Sequence, residues 1–411
     1  MKICTITNAF TPEKTTAPAK IGGAETCAER ISRGLLEKGY NVIVITQRPY
    51  QGLSSLLPKL TIQEGLRVYS FYPLNIFSIY STHQKSLIAK GLWRIIDLIN
   101  PLPAIFAWLI VQKEKPDIIH NHILHGFSPF FLLRLLKSTK IPIVQSLHSY
   151  GYLCLRCDFL RSNGKICQNP PVLCRMFIAL SRILIQKTIS TVISPSEFCL
   201  KLYRDHGFFN NTVCRVLPNG IDTDPENPHQ KINDNLFRIL YAGRLVKIKG
   251  VHILIKAFRN ITSPNARLNI VGEGFFERDL RALAGNDQRI AFLGKIPWIE
   301  LKKRYQESDV TVMPSIYYEI LGNVVLESAA AGTPVIGSRI GGISELIKDG
   351  FNGYLVPPDD TEQLHEKIEK LISNPRLKEK MSENAFLDSQ KYSIQNHVSD
   401  IEKIYLSLKN V

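Results

Sequence analysis

Short apolar runs that end in a glycine-containing loop recur along this chain, and they restrict the folds that are open to it. The runs at residues 3–7 and 237–241 are each followed by such a loop, and the first continues into an amphipathic stretch and a second apolar run at 41–46. Strand, glycine loop, helix and strand in this order begin a doubly wound α/β unit, whose ligands bind at the carboxyl ends of the strands. The pattern therefore predicts an α/β fold and directs attention to those loops.

The length and composition of the chain predict two globular domains. With 411 residues, 45% of them hydrophobic and 21% charged, the chain is long enough for two ordinary cores. A segment rich in Pro, Asn and Asp at residues 218–235 is interpreted as the linker between them. The first domain is predicted to cover residues 1–218 and the second residues 219–390.

The net charge of +15 is confined to one half of the chain. Residues 1–218 contain 26 Lys and Arg against 11 Asp and Glu, whereas residues 219–411 contain 25 of each. A basic surface of this kind suits nucleic acid, anionic lipid or a polyanionic substrate. No recognised nucleic-acid motif is present, so nucleic acid is not an expected partner.

Segments in the basic half that mix apolar residues with cations favour an anionic membrane surface as a partner. They lie at residues 86–111, 130–140 and 175–187, and the first places Trp93 and Trp108 among Leu and Ile, where they suit a membrane interface. Ordinary core-facing helices with a solvated basic face remain the alternative.

Two further features bear on location and on metal binding. No run of about 18 uncharged apolar residues and no signal peptide is found, so the chain is expected to be cytoplasmic, peripheral to the membrane and without a transmembrane helix.

Cys154, Cys157, Cys167 and Cys174 form a weak zinc candidate, because only the first two have paired spacing. Reduced thiols are the alternative.

Histidines end two neighbouring predicted strands. His120 and His122 close the run at 117–122, and His148 follows the run at 141–147. Alternation puts His120 and His122 on one side of the strand, with His122 nearer the expected ligand cleft. Two strands that bring histidines to one edge indicate a site, although a buried, satisfied histidine is the commoner role for any single one.

Two carboxylates, Glu319 and Glu327, flank the start of a predicted helix. The apolar run between Gly322 and Gly332 has the glycine punctuation of a buried helix. The unpaired amides and the positive dipole end at its start form an anion site. Glu327, about one turn inside, either accepts hydrogen bonds from a ligand hydroxyl or only complements the dipole.

Glycine loops supply two further candidate phosphate contacts. Arg244 and Lys249 lie on a glycine-bounded loop after a strand, where they are placed to hold a pyrophosphate, or are solvated cations. Gly22 and Gly23 begin the first helix, where they either let the backbone approach a phosphate or form a simple turn.

In this order the motifs resemble family 4 of the nucleotide-sugar glycosyltransferases, the retaining enzymes of GT-B fold. The matching segments span nearly the whole chain and are Gly22-Gly23-Ala24-Glu25, the strand from Asp117 to His122, Pro218-Asn219-Gly220-Ile221-Asp222, Gly243-Arg244-Leu245 with Lys249-Gly250, Pro314-Ser315 with Glu319, Gly322 and Glu327, and Gly332-Thr333-Pro334-Val335-Ile336. The resemblance implies two Rossmann-like α/β domains facing a cleft, with a C-terminal helix (391–411) crossing back to the N-terminal, acceptor-binding domain. It implies a UDP- or GDP-sugar bound by the second domain without metal or another cofactor.

The resemblance also implies roles for individual residues. Arg244 and Lys249 would neutralise the diphosphate, Glu319 would contact the sugar, and Glu327 would bind the ribose hydroxyls. His122 would lie near the anomeric carbon, and His148 in the vicinity of the acceptor or sugar. The remaining donor-binding positions are Gly23, Gly243, Gly322, Asn323 and Val324. Leu321 stands where the family often has Phe, a mild departure.

The function implied is transfer of a sugar to a lipid-linked, polysaccharide or other glycan acceptor at the cytoplasmic membrane face. Two other hypotheses remain open. A nucleotide-sugar 2-epimerase of the same fold would need additional acid/base carboxylates in the cleft. A non-catalytic scaffold would bind anionic lipid through the basic half alone.

Overall fold

A computed structural model describes residues 1–10, 22–77, 85–161, 164–223 and 234–409, which form two α/β units. Most of the predicted linker, residues 224–233, lies outside the described residues. The predicted boundary between residues 218 and 219 falls between the last strand of the first sheet and the first strand of the second.

The first sheet has eight strands, and all its pairings are parallel except that of β3 with β4. The strands are β1 (Lys2–Ile6), β2 (Asn41–Gln47), β3 (Lys59–Gln63), β4 (Leu66–Phe71), β5 (Ile118–Asn121), β6 (Ile143–Ser146), β7 (Thr191–Ser194) and β8 (Val213–Val216), in the order β3-β4-β2-β1-β5-β6-β7-β8. Its helices are α1 (Gly23–Glu37), α2 (Leu87–Ile99), α3 (Leu102–Glu114), α4 (Pro129–Lys137), α5 (Val172–Ile185) and α6 (Glu197–Asp205). The central strands β5 and β6 are buried along their whole length because helices cover both faces of the sheet.

The second sheet has six parallel strands in the order β11-β10-β9-β12-β13-β14. They are β9 (Phe237–Ala242), β10 (Ala266–Val271), β11 (Ile290–Gly294), β12 (Val310–Met313), β13 (Val335–Ser338) and β14 (Gly353–Val356). The helices are α7 (Val251–Arg259), α8 (Glu277–Ala284), α9 (Trp298–Glu307), α10 (Asn323–Ala330), α11 (Ile343–Leu346), α12 (Thr361–Ser373), α13 (Pro375–Ser389) and α14 (Ile394–Lys409). The prediction of two doubly wound α/β units is confirmed.

The last helix, α14, packs on the first domain, as predicted. Val398, Ile401 and Tyr405 are buried in the core formed by β1, β2 and α1. The Tyr405 hydroxyl lies 2.6 Å from Nδ1 of His120, on the strand β5. Helix α14 therefore packs against the first sheet and contacts its strand β5 through Tyr405.

Helices α2 and α3 correct one expectation about the membrane. Among the described residues no single helix is long and apolar enough to cross a membrane, although α2 and α3, bent by 44° at their junction, reach that length and composition together. Trp93 is buried, and its indole N–H donates to the carbonyl of Phe77 at 2.8 Å. Its placement in a membrane interface is therefore wrong, because the indole fills a pocket under the helix.

Candidate active site

The loop from Gly243 to Gly250 follows β9 at the carboxyl edge of the second sheet. Gly250 has a φ of 72°, and a Cβ there would lie 1.8 Å from the carbonyl oxygen of Pro314. Only glycine therefore lets the loop press against the end of β12, and this contact delivers the preceding Lys249 into the site. The Arg244 side chain is exposed on the same loop.

Lys249 forms a buried ion pair with Glu319. Its Nζ atom lies 2.6 Å from Oε1 of the carboxylate. The hydroxyl of Ser315 donates to the same oxygen at 2.7 Å, and that of Tyr317 donates to Oε2 at 2.8 Å. Glu319 is only 6% exposed, so three donors hold one carboxylate away from bulk water.

This arrangement keeps Glu319 ionised. Burial alone raises the pKa of Glu319, but the charge of Lys249 and the hydrogen bonds from Lys249, Ser315 and Tyr317 outweigh it and leave the pKa below its usual value. Burial lowers the pKa of Lys249, but the charge of Glu319 raises it by more than burial lowers it, so the ammonium stays charged. The site therefore holds a fixed acceptor and a fixed cation within one hydrogen bond of each other.

The helix α10 starts beside this pair, at the residues predicted. Gly322 is its N-cap, with a φ of 104° and no side chain to bond the first amides. Leu321, the departure from the family pattern, is 3% exposed in the core next to it. Asn323 accepts a hydrogen bond from Asn219 at 2.9 Å and donates to the carbonyl of Gly23 at 3.5 Å. The start of α10 therefore meets the start of α1 across the cleft.

Glu327 lies one turn further along α10 and faces a recess. Oε2 of its carboxylate accepts a hydrogen bond from the hydroxyl of Tyr305 at 3.1 Å. Burial raises the pKa of Glu327, against the opposing charge of Arg30. The recess is also lined by Arg30, Asp222 and Trp298, so charged groups and an aromatic ring face it together.

The histidines meet at the carboxyl edge of the first sheet. His120 and His122 lie on one side of β5, with ring centroids 4.1 Å apart. Nδ1 of His122 lies 3.1 Å from Nε2 of His148, and the two rings are stacked with an interplanar angle of 9°. The structure brings the histidines of the adjacent strands together, as the alternation predicts.

Burial dominates the chemistry of these rings. It holds the pKa of His122 well below its usual range, with further contributions from the neighbouring histidines, and it lowers the pKa of His148 to about 4. Both rings are therefore neutral near pH 7. Nε2 of His122 is buried without a hydrogen-bond partner in the described part of the chain, so it is available to a ligand.

A cavity opens beside this cluster. It is lined by His122, His148, Gln145, Tyr152 and, from α2, Arg94. Arg94 is paired with Asp97 at 2.9 Å and lies 2.6 Å from Nδ1 of His125. The cavity therefore combines neutral hydrogen-bonding groups with an already neutralised cation.

The four cysteines that suggested zinc do not form a metal site. Across the described ranges, no group of three or more His, Cys, Asp or Glu is arranged to hold a metal ion, and every cysteine is a free thiol. Sγ of Cys157 lies 3.5 Å from Nε2 of His125. Burial raises the pKa of Cys157 to about 11, so this thiol stays protonated. The geometry does not support the zinc hypothesis.

Contacts between the two domains bring the two half-sites onto one cleft. The Tyr150 hydroxyl donates to the carbonyl of Tyr318 at 3.2 Å. The carboxylate of Glu345 accepts the backbone amides of Glu197 at 2.8 Å and Phe198 at 2.6 Å, at the start of α6. A carboxylate from one domain therefore caps a helix of the other.

Sequence reasoning gave no role to five residues that hold the site together. They are Ser315, Tyr317, Tyr305, Asn219 and Glu345, each of which contacts a predicted residue or joins the domains. Asn219 lies within a matching motif but was assigned only to the linker. Ser315 and Tyr317 come four and two residues before Glu319. A turn in this segment would bring their hydroxyls to the carboxylate, and this spacing was a signal that could have identified them.

Two family profiles together match most of the chain. The profile described as "Glycosyltransferase Family 4" matches residues 21–225, and "Glycosyl transferases group 1" matches residues 222–388. The two matches meet near residue 222, between the two sheets.

Individual proteins agree with these profiles. D-inositol 3-phosphate glycosyltransferase from Arthrobacter sp. (strain FB24) is 34% identical over 306 residues, which cover 69% of this chain and 70% of that protein. An uncharacterized glycosyltransferase of Methanocaldococcus jannaschii is 28% identical over 94% of this chain and 95% of its own length. The crystal structure of Anabaena HepE in complex with UDP and glucose matches 99% of this chain and 100% of that chain with a TM-score of 0.72 at 20% identity.

Proposed function

This chain belongs to glycosyltransferase family 4 and is a glycosyltransferase of GT-B fold, and we propose that it moves a sugar from a UDP- or GDP-sugar to a glycan or lipid-linked acceptor with retention of configuration. We propose that the acceptor is met at the cytoplasmic face of a membrane. A scaffold without catalytic activity is set aside, because the family consists of enzymes.

One observation supports the proposal most strongly. An ionised Glu319 and a charged Lys249 are held side by side, next to a helix start whose cap leaves its first amides unbonded. A carboxylate suits sugar hydroxyls, whereas a lysine and a helix N-terminus suit a diphosphate. These are the two chemical halves of a nucleotide sugar, and the separate recess at Glu327 suits its ribose.

The proposed mechanism depends on stabilising the departing charge. As the bond from the anomeric carbon to the diphosphate breaks, negative charge grows on the phosphate oxygens. Arg244 and Lys249 would neutralise this charge, and the amides at Gly322–Val324 would add fixed dipoles. An acceptor hydroxyl that attacks on the face of the leaving phosphate keeps the configuration, with the phosphate oxygen taking its proton. Positioning of the two substrates would supply the remainder of the rate enhancement.

The acceptor half of the proposal uses the first domain. Neutral His122, with its free Nε2, and the adjoining cavity would orient the sugar and the acceptor hydroxyl. The titles of the HepE structures name UDP and UDP-glucose, which supports a nucleotide-sugar donor here. The proposal assigns no step to a metal, because Arg244, Lys249 and the start of α10 would together neutralise the diphosphate.

A panel of UDP- and GDP-sugars tests the proposal. At least one should raise the unfolding temperature and be turned over with a glycan or lipid-linked acceptor, or be slowly hydrolysed. Proton NMR of the product should show the donor's anomeric configuration. Release of a 2-epimerised sugar would instead favour the epimerase. Unchanged turnover in Glu319→Ala and Lys249→Ala would contradict the site assignment.

A further inference from the structure

Helix α2 exposes a stripe of large apolar side chains to solvent. Ile88, Leu92, Ile95 and Ile99 are between 53 and 79% exposed. Their spacing of four, three and four residues places them on one face of the helix. The opposite face carries the buried Trp93 and Asp97, so α2 is apolar on the side that none of the described residues covers.

Helix α5 exposes a second stripe. Five of its side chains are between 49 and 73% exposed, namely Val172, Leu173, Met176, Leu180 and Ile183. Its inward face is also apolar, with Phe177 and Ile178 buried. A helix that is apolar on both sides has an outer face that water does not favour.

The helices that carry the two stripes are neighbours in the fold. The guanidinium of Arg94, on α2, lies 6.0 Å from the ring centre of Phe177, on α5. Between them, α4 contributes Phe130, whose ring centroid is 5.9 Å from that of Phe177, and Phe131, which is 41% exposed. We call the exposed apolar residues of α2, α4 and α5 the docking face.

The charge around the docking face is mostly positive. Residues 118–196 contain nine Lys and Arg and one acidic residue, Asp158. Five of these cations are exposed on or next to α4 and α5, namely Arg134, Lys137, Arg175, Arg182 and Lys187. The only carboxylate within α2, α4 and α5 is the buried Asp97. Apolar side chains with a rim of cations match a bilayer that contains anionic lipid.

We propose that the docking face binds an anionic membrane, with the apolar stripes of α2 and α5 in the interfacial region and the cations at the headgroups. A second copy of the chain fits this surface poorly, because a symmetric contact would bring two basic rims together. The inference rests on the proposed function only for its account of the acceptor.

Membrane docking in this orientation places the cavity beside the bilayer. Arg94 lines the cavity from the inner side of α2, whereas Leu92 and Ile95 lie on the outer side of that helix. One helix, about 10 Å across, therefore separates the cavity from the lipid. A membrane-anchored amphiphile can then place its hydroxyl in the cavity while its tail stays in the bilayer.

Vesicle binding of the full chain tests the proposal. The protein should float with vesicles of phosphatidylglycerol and phosphatidylcholine in equal amounts, more weakly with phosphatidylcholine alone, and less at high salt. The double variant Leu92→Glu/Met176→Glu should weaken binding by about tenfold or more. Leu387→Glu changes a side chain of the second domain that is 68% exposed, and should bind like the wild type.

The charge reversal Arg175→Glu/Lys187→Glu should weaken binding by about tenfold or more as well, because each cation contributes to attraction by the surface. Lys380→Glu, an exposed cation of α13, is its control. Absence of wild-type binding, or equal binding by Leu92→Glu/Met176→Glu, would overturn the proposal. A wild-type dimer that this variant dissociates, without vesicle binding, would overturn it in favour of a second copy.

Thermal stabilisation by UDP and GDP separates this proposal from the proposed function. The docking-face variants should keep the wild-type nucleotide response while losing vesicles, because the stripes lie on the other domain from Lys249. A protein that binds vesicles but responds to no nucleotide would contradict the donor assignment and leave the docking face standing.

Discussion

Glu319 and Glu327 lie eight residues apart, yet the structure gives them unrelated surroundings. Glu319 is ionised by Lys249 and two hydroxyls, whereas Glu327 shares a hydrogen bond with Tyr305. Their positions around the start of α10 could be predicted from the glycine and proline punctuation. The partner Tyr305 could not, because it comes from α9, and its approach depends on how that helix packs on α10.

A double-mutant cycle measures the Glu319–Lys249 pair. Glu319→Gln alone should destabilise the protein by about 3–5 kcal/mol, because it leaves a buried ammonium without its counter-charge. Glu319→Gln/Lys249→Met should cost less than the sum of the single variants, which urea unfolding can measure. Strictly additive costs would contradict a direct buried ion pair.

The buried histidines predict a loss of stability in mild acid. Burial lowers the pKa of His120 to about 3 and those of His148 and His397 to about 4. Below pH about 6.5 these histidines bind protons in the unfolded chain but not in the folded one. Each of them therefore lowers the free energy of unfolding by about 2 kcal/mol between pH 7.5 and pH 5. Burial raises the pKa of Asp97 to about 6, so this carboxyl takes up a proton in the folded state first. It thereby raises the free energy of unfolding by about 1.4 kcal/mol over the same pH range and offsets part of the loss.

Urea unfolding at pH 7.5 and 5.0 checks this expectation. His148→Asn should remove about 2 kcal/mol of the pH dependence, whereas His206→Asn, on the half-buried residue after α6, is the control. A folded state that is as stable at pH 5.0 as at pH 7.5 would show that these rings are not held neutral.

At the scale of elements, the ends of helices followed from local residue types. The helix α10 runs from Asn323 to Ala330, between the predicted glycines at 322 and 332. Such limits are local, because a glycine at a positive φ ends or begins a helix whatever surrounds it. The close approach of Gly250 to Pro314 was not predictable, since it joins two loops 64 residues apart that only the parallel sheet brings together.

Gly250→Ala should therefore be costly. A positive φ alone costs an alanine about 1–2 kcal/mol, and the contact with the Pro314 carbonyl adds to it. Gly350→Ala is the control, with a φ of 78° and open space around the added Cβ among the described residues. Chemical denaturation should show at least about 2 kcal/mol more loss for Gly250→Ala, with reduced transferase activity. Equal losses of stability in the two variants would mean that the loop moves to make room for the added methyl group.

At the scale of the whole molecule, the order of motifs predicted both domains and the returning helix. The contacts that join the domains were not predictable, because Glu345 caps α6 through backbone amides that any residue supplies. The exposed stripes of α2 and α5 were only partly predictable. Their apolar residues are visible in the sequence, but which face the protein covers depends on α3, α4 and the sheet.

The returning helix α14 should contribute strongly to global stability. Tyr405 is fully buried against the first sheet. Tyr405→Ala should lower the free energy of unfolding by about 3–5 kcal/mol, by loss of packing and a residual cavity. Leu406→Ala, at a side chain that is 45% exposed, should change it by less than about 0.5 kcal/mol. Similar effects for both would contradict the packing of α14.

The central claim, that the second domain holds a nucleoside diphosphate at Lys249, is tested most directly by calorimetric titration with UDP and GDP. Wild-type protein should bind at least one of them, and Lys249→Met should weaken that Kd by about tenfold or more, because a charge-assisted hydrogen bond is lost. Lys247→Met removes an exposed cation of the same loop and should keep the wild-type Kd. Binding of neither nucleotide, or equal Kd values for Lys249→Met and the wild type, would contradict the account.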